Sequence, residues 1–208
     1  MSDISMIKGE SRIGSFFYPR SIAVFGATEK PDSAGRIILE NLLPFADRRK
    51  IYPINPNRQT VLGQKSFPGI QELPETPEMA VIVTPAETVT EIVDRCGAVG
   101  VRLLVIISSG FKEIGSEGLA REEKILESAK KYGMRIIGPN CMGVIRPSNH
   151  LNTSFIRKMP RPGNVAFLSQ SGALGAGILD WAIRANFGFS AYVSFGSMLD
   201  VDFGDAID

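Results

Sequence analysis

Histidine occurs once in this 208-residue chain, at His150, and cysteine only twice, at Cys96 and Cys141. The two cysteines lie far apart without CxxC spacing, and no apolar h-region stands near Met1, which points to a reducing, cytoplasmic setting. Neither charge sign dominates, with 23 basic against 22 acidic residues. Bulk nucleic-acid or membrane binding is therefore not expected, and any anion site must be built from local loops. No apolar run approaches membrane-spanning length, and no repeat of fixed period is visible. Asn152-Thr153-Ser154 matches a glycosylation acceptor but carries no weight without a signal peptide.

Short apolar runs alternate with helical patterns in an ordinary globular composition, 44% hydrophobic and 22% charged. Strands are expected at 21–25, 50–54, 79–83, 103–107, 135–137, 165–168 and 191–195. Helices are expected at 34–43, 87–97, 119–132 and 173–184. The runs Val81-Ile82-Val83 and Leu104-Val105-Ile106-Ile107 are continuously apolar, as in a parallel sheet covered on both faces. This pattern predicts a Rossmann-like, doubly wound α/β sheet over residues 21–145, after a lead-in over 1–20 whose stretch Arg12–Phe17 packs as a short helix. Residues 146–162 hold three prolines with Arg157, Lys158 and Arg161, show no periodicity and are expected to be a linker. A second α/β unit then begins at 163, and with two strands and one helix up to 208 it is expected to be incomplete.

The sharpest local feature is the strand Val165–Leu168 running into Ser169-Gln170-Ser171-Gly172 and then an Ala- and Gly-rich helix. The first N–H groups of a helix lack internal partners and the macrodipole is positive there, so Ser169, Ser171 and Gly172 are candidate phosphate ligands. The first strand ends in Phe25-Gly26-Ala27-Thr28, a place for a nucleotide loop, but the spacing is not GxGxxG. The second ends at Ile54-Asn55-Pro56-Asn57-Arg58, where an NAD site would carry Asp or Glu. Arg58 could instead meet a phosphorylated ribose; the alternative is a plain Asn-Pro turn.

These loops, taken in order, resemble one family. Gly26-Ala27-Thr28 with Pro31, Ser33 and Gly35, then Tyr52-Pro53-Ile54-Asn55-Pro56, Ser109-Gly110-Phe111, Gly138-Pro139-Asn140-Cys141-Met142-Gly143 and Ser169-Gln170-Ser171-Gly172 look like the α-subunit portion of NDP-forming acyl-CoA synthetases. These are the ADP-forming acetate–CoA ligases, related to succinyl-CoA synthetase. The resemblance implies a CoA-binding domain followed by the start of a flavodoxin-like one. It implies coenzyme A or acyl-CoA as ligand, with Gly26, Thr28 and Ser33 near its phosphates and Asn55 and Arg58 towards the adenosine end. Val83, Thr84 and Pro85 would line the pantetheine path, Ser109 and Gly110 the region nearer the thiol, and Asn140 and Cys141 the acyl group. The implied reaction converts acyl-CoA, phosphate and ADP into carboxylate, CoA and ATP through acyl phosphate and phosphohistidine. ADP/ATP and Mg²⁺ would be held by an ATP-grasp domain or β-subunit, fused or separate, and a homo-oligomer is a further option.

The sequence departs from that pattern in three places. No phosphorylatable Gly-His segment or later acidic partner occurs before Asp208, so no catalytic residue is expected in the chain and turnover alone is not expected. Gly196-Ser197 stands where Gly-Asn is usual, and Asn57-Arg58 where lysines follow the Asn-Pro turn.

His150 could face Ser171 as a phosphoryl acceptor, but its polar connector Pro147-Ser148-Asn149 offers no orienting acid and favours a linker role. Ser171 lacks the G-x-S-x-G elbow and a following His, against a hydrolase. Cys141 is either a thiol nucleophile or a packing residue at a strand end, and the second is favoured without a paired His. Asp200, Asp202 and Asp205 read as a capped helix start, with no metal site expected. The competing functions are a free-standing CoA-responsive binding protein and an NAD(P)-binding oxidoreductase domain.

Overall fold

The computed structural model describes residues 12–207. Five strands form the first sheet: β1 (Ser21–Phe25), β2 (Lys50–Ile54), β5 (Met79–Ile82), β6 (Leu103–Ile106) and β7 (Arg135–Ile137). A small hairpin, β3 (Thr60–Val61) and β4 (Gln64–Lys65), lies between β2 and β5 in sequence. The five strands are all parallel, in the order β2-β1-β5-β6-β7. The order reverses at β1, where the chain winds first to one side and then to the other, and in such sheets ligands sit at the strands' carboxyl ends. Helix α1 (Ala34–Leu42), α2 (Ala86–Ala98) and α3 (Ser116–Tyr132) make the crossovers.

The sequence explains the layers. Ile22, Val24, Val81 and Val105 point into one apolar cluster, while Ala23, Ala80, Ile82, Leu104 and Ile106 point into another. Alternate side chains thus fill both faces, which is why these strands read as continuous apolar runs. Helix α2 buries Val89, Val93 and Cys96, spaced four and three residues apart along one stripe. Helix α3 ends at Gly133 in the left-handed conformation, with φ 65°, whose N–H bonds the carbonyls of Ala129 and Lys130. The stretch Arg12–Phe17 is a 3₁₀ helix that buries Phe16 completely.

The second sheet differs from the sequence reading. It has four strands, in the order β10-β11-β8-β9: β8 (Gly143–Arg146), β9 (Leu151–Asn152), β10 (Arg161–Ser169) and β11 (Gly188–Ser194). Strands β10 and β11 are parallel around helix α4 (Gly172–Arg184), while β8 runs antiparallel beside β11. Residues 146–162 are therefore not a loose linker. Arg146 and the pair Leu151-Asn152 belong to strands β8 and β9, and Asn152, Thr153 and Ser154 are buried. Their side chains close a local network: Val144 N–H donates to Thr153 Oγ1 at 2.9 Å, and Ser154 Oγ donates to Asn152 Oδ1 at 2.7 Å. Those polar residues read as connector because their apolar neighbours are too few to show a period.

The two sheets also share a core. Val144, Leu151, Val193, Phe195 and Val201 pack into the same cluster as Ile22, Leu42, Met79 and Val105. After β11 the chain reaches a short helix, α5 (Phe203–Ile207). Its start is capped reciprocally, Asp202 N–H to Asp205 Oδ2 and Asp205 N–H to Asp202 Oδ1, while Asp200 accepts from Arg135 Nε at 2.9 Å. These three aspartates hold protein groups, in keeping with the capped-start reading.

Candidate functional site

The strand ends β1, β2 and β5 open onto one groove. Its apolar part, about 270 Å³, is lined by Gly26, Ile54, Pro56, Thr84 and Pro85 together with Ile70, Thr88, Ile92 and Arg95. Beside it lies a shallower hollow around Asn55, Asn57, Arg58 and Ser66. Thr84 and Pro85 from the sequence reading are thus at the groove, and Val83 contacts Gly26 from β5's end. Sequence reasoning missed Thr88, Ile92 and Arg95. Their spacing, i, i+4, i+7 along α2, is the signal that could have found them.

Two glycines set the first loop. Gly26 sits at φ +85°, and a Cβ on Gly35 would lie 2.0 Å from the Gly26 carbonyl oxygen. Helix α1 therefore enters hard against the loop, the close approach that a Gly-rich fingerprint achieves with other spacing. Asn55 Nδ2 donates to the Ala27 carbonyl at 2.7 Å, tying β2's end to the β1 loop. Ser33 donates to the Lys30 carbonyl at 2.8 Å, and Thr28 Oγ1 accepts from Lys30 N–H. Both hydroxyls shape the loop. Arg58 forms an exposed ion pair with Glu29 at 2.9 Å, and Glu29 also accepts from Leu62 N–H. Glu29 went unnoticed in the sequence because its partner lies 29 residues away.

A second, larger cavity of about 750 Å³ lies where the two sheets meet. Glu113, Asn140, Cys141 and Met142 line it from the first sheet's side of the chain, and Gln170, Ser171 and Gly172 from the turn into α4. Gly196 and Ser197 close it from the turn after β11. That turn approaches the Pro139-Asn140 backbone so closely that a Cβ on Gly196 would lie 2.2 Å from the Pro139 oxygen. Ser197 N–H donates to the Pro139 carbonyl at 2.8 Å, and Lys112 Nζ donates to the Ser197 carbonyl at 2.5 Å. The turn that departs from the usual Gly-Asn pair is thus fastened by its backbone, to which a side-chain change matters less.

At the start of α4, Ser171 is the N-cap: its Oγ accepts from Leu174 N–H at 3.2 Å. Ser169 Oγ donates to the Ser171 carbonyl at 2.9 Å. Both hydroxyls hold the turn, leaving the N–H groups of Gly172 and Ala173 at the helix start without intrahelical partners. What this turn offers at the helix start is chiefly backbone N–H groups at the positive end of the helix dipole.

Near the first sheet, Glu113 accepts from Gly110 N–H at 2.6 Å and Phe111 N–H at 3.1 Å. Partial burial alone would raise the Glu113 pKa. The bonds from Gly110, Phe111 and its own N–H, with the Lys112 charge, bring it below the ordinary value. Ser109 is exposed beside this loop. Asn140 is exposed at φ +53°, its N–H donating to the Ser108 carbonyl. Cys141 is buried, its Sγ–H donating to the Ile106 carbonyl at 3.2 Å, and burial pushes the thiol pKa up to about 12. Cys141 thus packs at the strand end, its thiol turned to a backbone carbonyl.

His150 is turned away from this cavity. It stacks on Phe45 with ring centroids 4.4 Å apart, and its carbonyl accepts from Arg49. It does not line the cavity of Ser171. Among the described residues no group of His, Cys, Asp and Glu is arranged to hold a metal ion, and no helix is long and apolar enough to cross a membrane.

Comparison with known proteins gives this geometry a family. The model of the CoA binding domain matches residues 20–147, and that of the succinyl-CoA ligase like flavodoxin domain matches residues 162–208. The α subunit of ADP-forming acetate–CoA ligase II from Pyrococcus furiosus is 44% identical over 193 residues, covering 93% of this chain and 42% of that one. The ADP-forming 4-hydroxybutyrate–CoA ligase of Nitrosopumilus maritimus is 38% identical over 189 residues, covering 88% of this chain and 27% of that one. The chain thus spans less than half the length of these relatives. A structure of acetyl-coenzyme A synthetase 1 from Ca. Korarchaeum cryptofilum in complex with phosphate and ADP superposes with a TM-score of 0.89 at 39% identity. It covers 95% of this chain and 42% of that one. The chain belongs to the CoA-binding-domain family and is similar to the α subunits of ADP-forming acetate–CoA ligases.

Proposed function

We propose that this chain binds CoA or acyl-CoA along the first sheet and delivers the thioester to the cavity between the sheets, as one part of an ADP-forming acyl-CoA synthetase. The observation that carries this reading is the shared cavity. Asn140 and Cys141, at the end of the CoA path, and the Ser171–Gly172 helix start line one continuous space. Phosphate held by the Gly172 and Ala173 N–H groups would then stand beside the thioester carbonyl. Its attack, with CoA as leaving group, yields acyl phosphate, and the helix terminus stabilises the charge that develops on the phosphoryl oxygens.

In this reading CoA lies across the carboxyl ends of β1, β2 and β5. The adenine enters the apolar groove of Ile54, Ile70, Pro85 and Ile92, with Arg58 and Arg95 as nearby cations. Gly26, Thr28 and Ser33 form the loop for the diphosphate. Val83, Thr84 and Pro85 flank the pantetheine, and Ser109 and Gly110 stand near the thiol. The later steps use a phosphohistidine, with ADP and Mg²⁺ on an ATP-grasp domain or β-subunit, fused or separate. Since His150 faces Phe45, the chain by itself binds but does not turn over.

Calorimetric titration with CoA and competition with NAD⁺ and NADP⁺ test the binding half. CoA is expected to bind and to resist displacement; tighter NADP⁺ binding overturns it. Steady ATP formation from acetyl-CoA, labelled phosphate and ADP by this chain alone would overturn the inactive-alone half.

A further inference from the structure

A cavity of about 780 Å³ lies at the amino ends of the first sheet's strands, the end opposite the groove, and the proposed reaction leaves it unused. Three parallel neighbours, β1, β5 and β6, begin there, and the residue just before each strand is charged: Arg20, Glu78 and Arg102. Tyr18, from the turn after the first 3₁₀ helix, lines the same space. One wall is braced, since Thr76 Oγ1 donates to the Val99 carbonyl at 2.9 Å and ties the turn into β5 to the end of α2. Pro77 is buried beside it.

The hydrogen bonds around this cavity leave donors over. Glu78 is taken up by one neighbour: its Oε1 accepts from Arg20 Nε at 2.6 Å and its Oε2 from the Arg20 N–H at 2.8 Å. Glu75, three residues earlier, pairs with Lys50. Arg20 uses only its Nε in this pair, and its two terminal nitrogens have no partner among the described residues, with the side chain 86% exposed. Arg102 has no carboxylate partner among the described residues; one terminal nitrogen donates to the Tyr132 carbonyl, and the remaining N–H groups of the fork are unmatched there. Tyr18 accepts at its hydroxyl from Arg146 Nη2 at 3.1 Å, so its own proton is left to donate. Two guanidinium groups and a phenol thus line one cavity whose single carboxylate is already engaged.

We infer that this cavity is a ligand site for a phosphate monoester carried on an aromatic body, held by Arg20, Arg102 and the Tyr18 hydroxyl. It does not depend on the CoA reading. Strand β5 lies between β1 and β6, so the backbones of Arg20 and Arg102 stand roughly 10 Å apart, a gap that two arginine side chains span onto one oxyanion. Guanidinium forks match phosphate oxygens in pairs, and bonds between two charged groups are the strong ones. The three terminal oxygens of a monoester meet three donor groups, where a carboxylate offers two. The Tyr18 ring, with 59% of the residue exposed, gives the body a flat surface, and the volume has room for both parts.

Backbone amide shifts of the full chain, followed by NMR during titration with phenyl phosphate, inorganic phosphate and benzoate, test it at about pH 8, where the monoester is a dianion. Phenyl phosphate is expected to saturate shifts at Ser15, Gly100 and Leu103, and to bind more tightly than either other probe. Arg102→Gln should weaken it about tenfold or more, the worth of a charge-assisted hydrogen bond, and Tyr18→Phe about threefold. Arg184→Gln, which breaks an exposed pair on α4, is the control and should leave the affinity unchanged. Shifts confined to Gly172 and Ala173 at the start of α4, or no saturable shift at the cavity, overturn the site. So does an unchanged affinity in Arg102→Gln, or an equal loss in Arg184→Gln, which would mark a general charge effect. Benzoate binding as tightly as phenyl phosphate overturns the choice of phosphate, and inorganic phosphate doing so overturns the aromatic body.

Discussion

Replacing Gly35 with alanine adds one carbon where helix α1 meets the β1 loop, and the consequences can be worked through. The new Cβ would stand 2.0 Å from the Gly26 carbonyl oxygen, 3.0 Å from its carbon, and 3.3 Å from Val83 Cγ2. The first of these is backbone, which no rotamer change can move. Real Cβ atoms come no closer than about 3 Å to such an atom, so helix or loop must retreat by roughly 1 Å. Because the interior is close-packed, that retreat disturbs Ile38, Leu39 and Leu42, which are fully buried on the same helix. Overpacking of this kind costs about 1–3 kcal/mol. The better helix propensity of alanine offsets at most about 1 kcal/mol, and less near a helix start.

For a chain of this size about 2–4 °C of Tm is lost per kcal/mol, so a drop of about 2–12 °C, less the propensity offset, is expected in calorimetry. The same retreat moves the Gly26 loop, the proposed seat of the CoA diphosphate. Affinity for CoA, titrated below the new Tm, should fall about tenfold or more, the equivalent of about 1.4 kcal/mol. Gly177→Ala is the matched control: Gly177 is exposed on α4 with nothing within 4 Å of the added carbon. It should be neutral or stabilising by up to about 1 kcal/mol. A Gly35→Ala protein with the parent Tm and CoA affinity would refute the close-approach argument.

Other consequences follow from the same contacts. Ser171→Ala removes the N-cap of α4 and should cost about 1 kcal/mol in denaturant unfolding, with little change in CoA affinity. Arg58→Ala breaks an exposed pair worth at most about 1 kcal/mol, so Tm should hold; the preference for CoA over dephospho-CoA in titration should shrink. Alkaline pH should destabilise the fold. Burial lifts Cys141 and Tyr192 each to about 12, above ordinary values of 9.0 and 10.0. Both are held neutral in the fold, so their contribution is full below pH 9 and is lost between pH 9 and 12. Each group steepens the fall by up to about 1.4 kcal/mol per pH unit. A denaturation midpoint that stays flat from pH 9 to 11 would contradict this, and Cys141→Ala should make the slope shallower.

What the sequence displayed well was whatever repeats at short range. Ile22–Phe25, Val81-Ile82 and Leu103–Ile106 announce parallel strands because both faces are buried, and α2 shows its stripe at Val89, Val93 and Cys96. The β8–β9 segment was hidden for the opposite reason. Its buried positions include Asn152, Thr153 and Ser154, which are satisfied by each other and by Val144, and polar burial has no period. The site residues divide likewise. Thr84, Pro85, Asn140 and Gly172 could be found because they follow strand ends. Glu29 and Lys112 could not, since their partners come from the fold. Ser169 and Ser171 were expected as phosphate ligands, yet their hydroxyls fasten the turn itself.

The placement of those fastenings bears on how the two halves cooperate. The inter-sheet cavity is closed by the Gly196-Ser197 turn, whose backbone is held by Ser197 N–H on Pro139, Leu199 N–H on Gly138 and the Ser197 carbonyl on Lys112. Lys112 belongs to the same short turn as Glu113, whose carboxylate holds the Gly110 N–H at the proposed thiol end of CoA. One connection therefore runs from the Gly110 loop, through Glu113 and Lys112, to the wall of the inter-sheet cavity. Lys112→Met should cut this connection while preserving much of the apolar stem. The donor to Ser197 is lost and the Ser197–Pro139 bond remains, so the turn loosens without detaching. If the connection matters, acyl-CoA should lose more affinity than CoA, because only the acyl end reaches the cavity. Equal losses for the two ligands would mean that Lys112 supports the Gly110 loop alone. No loss for either would mean that the bonds to Pro139 and Gly138 suffice to position the turn.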